Sequence, residues 1–447
     1  MRERHLRRLN GLSLWLDGAA VAFVLAGCGR PGRGAAGGAV DGPIDADDAR
    51  ACQRCHAEHY DGWSLSMHAY ASDDPIFLAM NARGQRETGG ALGDFCVRCH
   101  APLAVARGVA TGGRLLSELP AALRGVTCVA CHTASGNADD PTHLASGNKM
   151  RGPIRDAVDT PAHASVYSAA HDRTRPESAE LCGNCHAVKN GHGVEIERTI
   201  DEWRTSKDAR PATLRTCGRC HMPESTGQAA QVPNAPRRRI HAHAMPAVDL
   251  GAASPAQRKL VQAAIDPAIT ARLCVQPGGG GAEVSVTLEN ARVGHAWPSG
   301  ATHNRRAWLE LVGYSRGAVA YSSGVVAEAE TVTASHRPPL LLLREELFEE
   351  RGQPALFMWN ARTTRSLALL PSAAGPELAT RTATIWVDGS IDRVTTRVRM
   401  RPVDHDVADA LVASGDLSPA VASQLPTLTL GGTVIEWTAE RGAACLP

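Results

Sequence analysis

Five pentapeptides of the form Cys-x-x-Cys-His lie within 170 residues of this 447-residue chain. Their cysteines are Cys52, Cys55, Cys96, Cys99, Cys128, Cys131, Cys182, Cys185, Cys217 and Cys220, and their histidines are His56, His100, His132, His186 and His221. Two thiols at this spacing can add to the two vinyl groups of one porphyrin, and the adjoining histidine then binds the iron as its proximal ligand. The motifs predict five covalently bound haem c groups, each with its iron.

Zinc knuckles are the alternative interpretation of paired Cys-x-x-Cys units, because such units also form four-thiolate zinc sites. A zinc site does not require histidine directly after every second cysteine, whereas here histidine follows all five. We therefore favour haem. Three further cysteines lie outside the motifs: Cys28, Cys274 and Cys445.

The second axial position of each iron decides what a haem can do. A second histidine gives a six-coordinate, low-spin iron suited to electron transfer, whereas an open position lets a substrate bind. Eight histidines outside the motifs lie between residues 57 and 246: His59, His68, His143, His163, His171, His192, His241 and His243. A single histidine is more often structural, but eight candidates for five positions favour ligation for most of them.

The N-terminal segment has the layout of a secretory signal, with Arg2, Arg4, Arg7 and Arg8 before an apolar stretch at residues 11–27. Leu25-Ala26-Gly27-Cys28 resembles a bacterial lipobox, in which the cysteine is lipidated; an ordinary signal peptide is the alternative. We interpret residues 1–28 as the signal and 29–48 as a flexible tether. We expect an exported protein on the periplasmic or cell-surface side, anchored by lipid to the outer membrane.

The charge of the mature chain argues against a nucleic-acid partner. Without residues 1–27 the chain has 43 basic and 44 acidic side chains. Five haems add about ten propionate carboxylates, so the loaded protein is acidic. Aromatic residues are only 4% of the chain, which fits a domain in which porphyrins supply the large flat apolar groups.

The motifs share about 200 residues, so we predict a pentahaem domain of short helices and irregular loops at residues 49–250. A helix at 254–265, with Ser254 as N-cap and Pro255 in its first turn, opens the next region. Strand-like runs follow at 271–275, 283–288, 307–314, 319–321, 340–343, 382–387, 394–400 and 433–437, with one helix at 404–413. Residues 277–281 are interpreted as a loose hairpin loop.

The predicted fold class is therefore multidomain: a mainly α and irregular multihaem cytochrome domain, then a mainly β, antiparallel sandwich-like domain at residues 251–447. Cys274 lies on its first strand and Cys445 is the third residue from the end of the sequence. In an oxidising compartment the two could form a disulfide, and two free buried cysteines are the alternative.

Short motifs around the pentapeptides resemble a known family. They include Tyr60-x-x-Trp63-x-x-Ser66-x-His68, Pro161-x-His163, Ser168-x-x-His171, Glu202-Trp203-x-x-Ser206 and His243-x-Met245. Over residues 52–246 the chain resembles the cytochrome c-554-type multihaem cytochromes, a group that includes partners and relatives of hydroxylamine oxidoreductase. The resemblance implies His68, His163, His171 and His243 as distal ligands. It leaves the fifth position open among His143, His192, His241 and His59.

The segment Val293-Gly294-His295-Ala296-Trp297-Pro298-Ser299-Gly300 is similar to a Gly-His-x-x-Pro-Thr-Gly segment of strand-rich domains attached to such cytochromes. Ser299 stands where that segment usually has threonine. His295 either binds an edge haem or is a structural turn residue, and the structural role is favoured.

These features predict an exported pentahaem c-type cytochrome that transfers electrons along packed bis-histidine haems, and not an enzyme. The alternative is a multihaem reductase or oxidase that acts on a small nitrogen or sulfur compound at one open haem. The expected partners are other redox proteins or a membrane quinol-oxidising complex. A third alternative is structural, because haem domains of this kind can assemble into oligomers or filaments.

Overall fold

The computed structural model describes residues 45–109, 116–134, 149–248, 254–371 and 376–447. The predicted signal, most of the tether, Cys28 and His143 lie outside the described residues. Within the described part of the chain, every helix is too short or too polar to cross a membrane.

Short helices and two-stranded ladders make up residues 45–248. The helices are α1 (Ala49–Gln53), α2 (Ala57–Ser64), α3 (Met67–Tyr70), α4 (Pro75–Glu87), α5 (Val97–His100), α6 (Pro102–Ala106), α7 (Cys128–His132), α8 (Glu177–Gly183), α9 (Thr199–Thr205) and α10 (Cys217–His221). The strands are β1 (Lys149–Gly152), parallel to β2 (Ala164–Tyr167), and two antiparallel pairs, β3 (Val188–Lys189) with β4 (Glu195–Glu197) and β5 (Glu224–Gln228) with β6 (Arg237–His241). The predicted helical character of this region is confirmed.

Helix α4 is the long element of this region, and its start follows from local sequence. The Asp74 carboxylate caps it by accepting hydrogen bonds from the backbone N–H groups of Ile76 (2.7 Å) and Phe77 (3.1 Å). Pro75 occupies the first turn, where its missing N–H costs nothing. The helix thereby presents Phe77 toward the second motif.

Antiparallel strands dominate residues 254–447. The elements are α11 (Pro255–Ile265), β7 (Thr270–Gly278), β8 (Gly281–Glu289), β9 (Arg306–Ser315), β10 (Ala318–Ser323), β11 (Leu342–Leu343), β12 (Glu345–Phe348), β13 (Pro354–Ala355), β14 (Thr363–Ser366), α12 (Pro376–Ala379), β15 (Thr380–Asp388), β16 (Arg393–Arg401), α13 (His405–Ala413), α14 (Pro419–Ala422), β17 (Leu428–Thr438) and β18 (Ala444–Leu446). The sheets run β10-β9-β16-β17, with β11 also paired to β9, then β15-β8-β7-β18, and β13-β12-β14.

One hydrophobic core contains buried side chains from both larger sheets. Leu273 and Val286 contribute from β7 and β8, and Leu309, Val398 and Trp437 contribute from β9, β16 and β17. Alternate residues of β7 and β8 point into this core, as the sequence pattern predicted. The prediction of a strand-rich, antiparallel region is confirmed, while the sandwich-like packing and the domain boundaries stay predictions.

The connection between β7 and β8 differs from the predicted loose loop. Both strands extend further, and Gly279 and Gly280 alone form the turn between the paired residues Gly278 and Gly281. Gly280 has a φ of +92°, which glycine adopts without steric cost, so two residues suffice to reverse the chain. At the end of the sequence β18 pairs with β7, and Cys445 forms a disulfide with Cys274.

Candidate haem-binding site

Each motif histidine is oriented through the same ring nitrogen. Nδ1 of His56 bonds to the Ala229 carbonyl oxygen at 2.6 Å, and Nδ1 of His100 to that of Ala71 at 2.9 Å. The other contacts are His132 to the Arg151 carbonyl (2.7 Å), His221 to the Pro246 carbonyl (3.0 Å) and His186 to the Glu197 carboxylate (2.8 Å). Since a metal-binding histidine usually donates its second N–H to such an acceptor, Nε2 is the nitrogen available for iron in all five rings.

His186 differs from the other four because its acceptor is a charged carboxylate. Burial alone would lower the pKa of His186, but the hydrogen bond and the charge of Glu197 raise it to about 8. Burial opposes ionisation of Glu197, while the bond to His186 lowers the pKa of the carboxyl. Iron binding at Nε2 of His186 would displace the proton from that nitrogen and leave the Nδ1–H donated to Glu197. A carboxylate partner makes an imidazole a stronger electron donor to a bound metal.

Four motif histidines each have a second imidazole opposite them. The centroid separations are 6.2 Å for His56–His163, 6.3 Å for His186–His68, 6.3 Å for His132–His243 and 6.4 Å for His221–His295. The Nδ1 atoms of His163, His243 and His295 are occupied by backbone carbonyls, at 3.2, 2.8 and 2.8 Å. Their Nε2 atoms are therefore the ones left for a metal.

These separations fit an iron between two imidazoles. Two Nε2 atoms at about 2.0 Å from one metal place the ring centroids about 6.3 Å apart. Zinc would instead require four tetrahedral ligands. The described residues contain no group of three or more His, Cys, Asp or Glu side chains arranged to hold such an ion. The residues thus fit haem iron, which when bound supplies one-electron redox chemistry.

Three of the opposing imidazoles, those of His68, His243 and His295, are neutral at neutral pH. Burial lowers the pKa of His68 and of His295 to about 4, and that of His243 to about 3. A neutral imidazole has the lone pair that binding to iron requires. The site therefore holds these rings in the protonation state that a haem ligand needs.

His171, which the resemblance implies as a ligand, has both ring nitrogens engaged. Nδ1 contacts the Ser168 hydroxyl at 3.0 Å, and Nε2 contacts the Cys131 carbonyl oxygen at 2.7 Å. Its centroid lies 5.6 Å from that of His132, which also faces His243. His243 is thus the better placed of the two for the iron of the third motif.

The other histidines considered for the fifth position lie in different settings. The ring of His59 lies 6.1 Å from that of His56, with the planes 87° apart, and 4.7 Å from that of His243, centroid to centroid. Its Nδ1 is buried without a partner. His192 is exposed between β3 and β4, and His241 lies at the end of β6.

The second motif has a different neighbour. The ring of Phe77 stacks on that of His100, with centroids 3.9 Å apart and planes 4° apart. Among the described residues, the ring in contact with His100 is therefore that of Phe77 and not a second imidazole. Phe77 fixes the orientation of the His100 ring but cannot bind iron.

Cysteines of different motifs contact one another. The contacting pairs are Cys52–Cys128, Cys99–Cys185 and Cys217–Cys182. In each pair, a hydrogen bond from the second thiol lowers the pKa of the first cysteine. The first motif therefore lies against the third, and the fourth lies against both the second and the fifth.

Sequence reasoning missed one residue of this site and favoured a structural role for another. Glu197 gave no signal before its contact with His186 was seen, because a glutamate on a short strand is ordinary. His295 was noticed, but its Gly-His-x-x-Pro-Ser-Gly setting also suits a turn. The proximity of the buried Asp208 to Gly294 shows that this segment packs against the haem-binding region, and that proximity cannot be inferred from sequence spacing.

Comparisons with known proteins give a family match for part of the chain and a similar fold. Residues 51–133 match the model of the family described as cytochrome c554 and c-prime. The chain is similar in fold to a penta-heme cytochrome c552 from Thermochromatium tepidum, with a TM-score of 0.63 and 21% sequence identity, over 89% of this chain and 100% of the other. The curated proteins contain no match. The resemblance to multihaem c-type cytochromes drawn from the motifs is confirmed by the family match at residues 51–133 and by the similar fold of the pentahaem neighbour.

Proposed function

We propose that this chain is an exported pentahaem c-type cytochrome that transfers electrons between redox partners. The observation that carries the proposal is the set of four imidazole pairs at 6.2–6.4 Å, each containing one motif histidine. Two imidazoles saturate an iron and leave it able to exchange electrons but not to bind substrate. The proposed ligand pairs of the first, third and fourth haems are His56 with His163, His132 with His243 and His186 with His68.

Contacts between motif cysteines support close packing of the haems. Each haem would be bonded to its chain through these sulfurs, so contacting cysteines bring the edges of neighbouring porphyrins together. The contacts imply an order in which the first haem adjoins the third, and the fourth adjoins the second and the fifth. The fourth haem would then be a branch point for electrons.

Export and lipid anchoring are part of the proposal. The arginine-rich start, the apolar stretch and Cys28 support them, as does the fact that c-type haem of bacteria is attached outside the cytoplasmic membrane. The partners would be other redox proteins or a quinol-oxidising membrane complex, with oligomers or filaments a further possibility. A Cys28→Ser variant should move from the membrane fraction to the soluble periplasmic fraction while keeping its haem.

The test of electron transfer uses the haem-loaded wild-type protein. A pyridine haemochrome assay should give five haems per chain, and stopped-flow reduction by dithionite should reduce all of them. The reduced protein should then pass electrons rapidly to an oxidised c-type cytochrome and slowly to nitrite, hydroxylamine or sulfite. Rapid, saturable oxidation by one of those small compounds would instead identify an enzyme with an open haem.

A further inference from the structure

The loop between β8 and β9 brings a histidine of the strand-rich region against the last motif. His295 is partly buried, its ring lies 6.4 Å from that of His221, and the two planes differ by 15°. Nδ1 of His221 contacts the Pro246 carbonyl and Nδ1 of His295 contacts the Ala296 carbonyl, at 3.0 and 2.8 Å. Among the described residues, Nε2 of His295 makes no hydrogen bond. A turn histidine with a purely structural role would be expected to use both nitrogens.

The strand-rich region holds the backbone of this loop in place. The side-chain amide of Asn290 donates to the carbonyl oxygens of His295 (2.8 Å) and Leu369 (3.2 Å). Trp297 and Leu369 exchange two backbone hydrogen bonds, both of 2.8 Å. The Trp297 side chain is buried in the main core. The position of His295 is therefore set by the sheets and not by a mobile loop.

The haem-binding region also holds this loop, through hydrogen bonds to Glu202 on α9. The Glu202 carboxylate of α9 accepts hydrogen bonds from the Ala296 N–H (3.1 Å) and the Ser299 hydroxyl (2.7 Å). Burial raises the pKa of Glu202, and these bonds oppose that rise. A Cβ atom on Gly294 would lie only 2.7 Å from Asp208 Oδ2, so any other residue would force that buried, Arg215-paired carboxylate to shift. The loop is thus clamped at the residues on both sides of His295.

We propose that His295 is the sixth ligand of the iron in the haem attached to Cys217 and Cys220, whose proximal ligand is His221. The strand-rich region then completes a haem site instead of only docking beside the haem domain. This inference rests on the proposed function, because it needs a haem at the fifth motif. Since the two regions share this iron, loss of the loop contact would change the spin state of one haem and leave the others unchanged.

The test replaces His295 with glycine in the full-length, haem-loaded protein. EPR of the oxidised His295→Gly variant should show one more high-spin ferric haem than the wild type, at an unchanged haem count. Added imidazole should return that haem to the low-spin state, a rescue that a merely structural role would not give. The matched control is His336→Gly, an exposed histidine of the same region, which should leave all spin states unchanged.

A second variant keeps the test decisive if His295→Gly does not accumulate. In His295→Met the thioether can still bind iron, and one haem should acquire a higher reduction potential while the others stay as in the wild type. Unchanged spin states in the glycine variant, or unchanged potentials in the methionine variant, would overturn the inference. Absence of haem from the fifth motif of the wild type, found by mass spectrometry of its haem peptides, would instead overturn the proposed function.

Discussion

The carboxylate of Glu197 should lower the reduction potential of one haem. It lies 2.8 Å from Nδ1 of His186, where the other four motif histidines have a neutral backbone carbonyl. Glu197→Gln keeps an acceptor oxygen at this position and removes the negative charge. Since a negative charge near the iron stabilises its ferric state, the potential of the fourth haem should rise in the variant.

The size of the shift follows from the contact distance. An iron bound at Nε2 of His186 would lie about 7 Å from the carboxylate, and at an effective dielectric constant of about 20 a unit charge there contributes about 2 kcal/mol. For one electron this energy corresponds to about 100 mV. The side chains of His186 and Glu197 are 47% and 17% exposed in this structure, so solvent screening reduces the effect, and we expect a rise of roughly 50–100 mV.

Spectroelectrochemical titration at fixed pH measures this rise. One of the resolved haem transitions should move upward, and the others should move much less. The matched control is Glu195→Gln on the same strand β4, whose carboxylate pairs with Lys189 at 3.2 Å and not with a motif histidine. A titration of Glu197→Gln that superimposes on the control, or that shifts every haem equally, would refute the reasoning.

Two further predictions concern the third haem and the clamped loop. His243→Ala should add one high-spin ferric haem to the EPR spectrum, whereas His171→Ala should add none. The reason is that only His243 has its Nε2 atom available opposite His132. The reverse result would assign the site to His171. Gly294→Ala should lower the free energy of unfolding by about 1–3 kcal/mol, and with it the thermal unfolding temperature, because the added methyl group meets Asp208. The control is Gly279→Ala, whose methyl group would meet nothing within 4 Å. An equal effect of the two variants would contradict this prediction.

Much of this fold could be predicted because its signals are local. The five pentapeptides define their chemistry within five residues each. The start of α11 follows from Ser254, whose hydroxyl accepts a hydrogen bond from the Gln257 N–H at 3.1 Å. The long strands β7 and β8 alternate buried and exposed residues, so their pattern was visible.

The parts that could not be predicted depend on contacts between distant residues. The β12–β14 ladder was missed because ion pairs, such as Arg365 with Glu346, replace an apolar pattern along it. The carbonyls that orient the motif histidines are backbone atoms, and they carry no sequence signature. A structural role was favoured for His295 because its sequence setting is typical of a turn. Its ring comes to lie opposite that of His221 only when the strand-rich region packs on α9.

The central claim is that the chain binds five haems, most of them between two histidines. The direct measurement is quantitative EPR of the oxidised wild-type protein, normalised to the haem count from a pyridine haemochrome assay. We predict five haems per chain, of which at least four are low-spin ferric. Fewer than five haems, or two or more high-spin haems, would contradict the account.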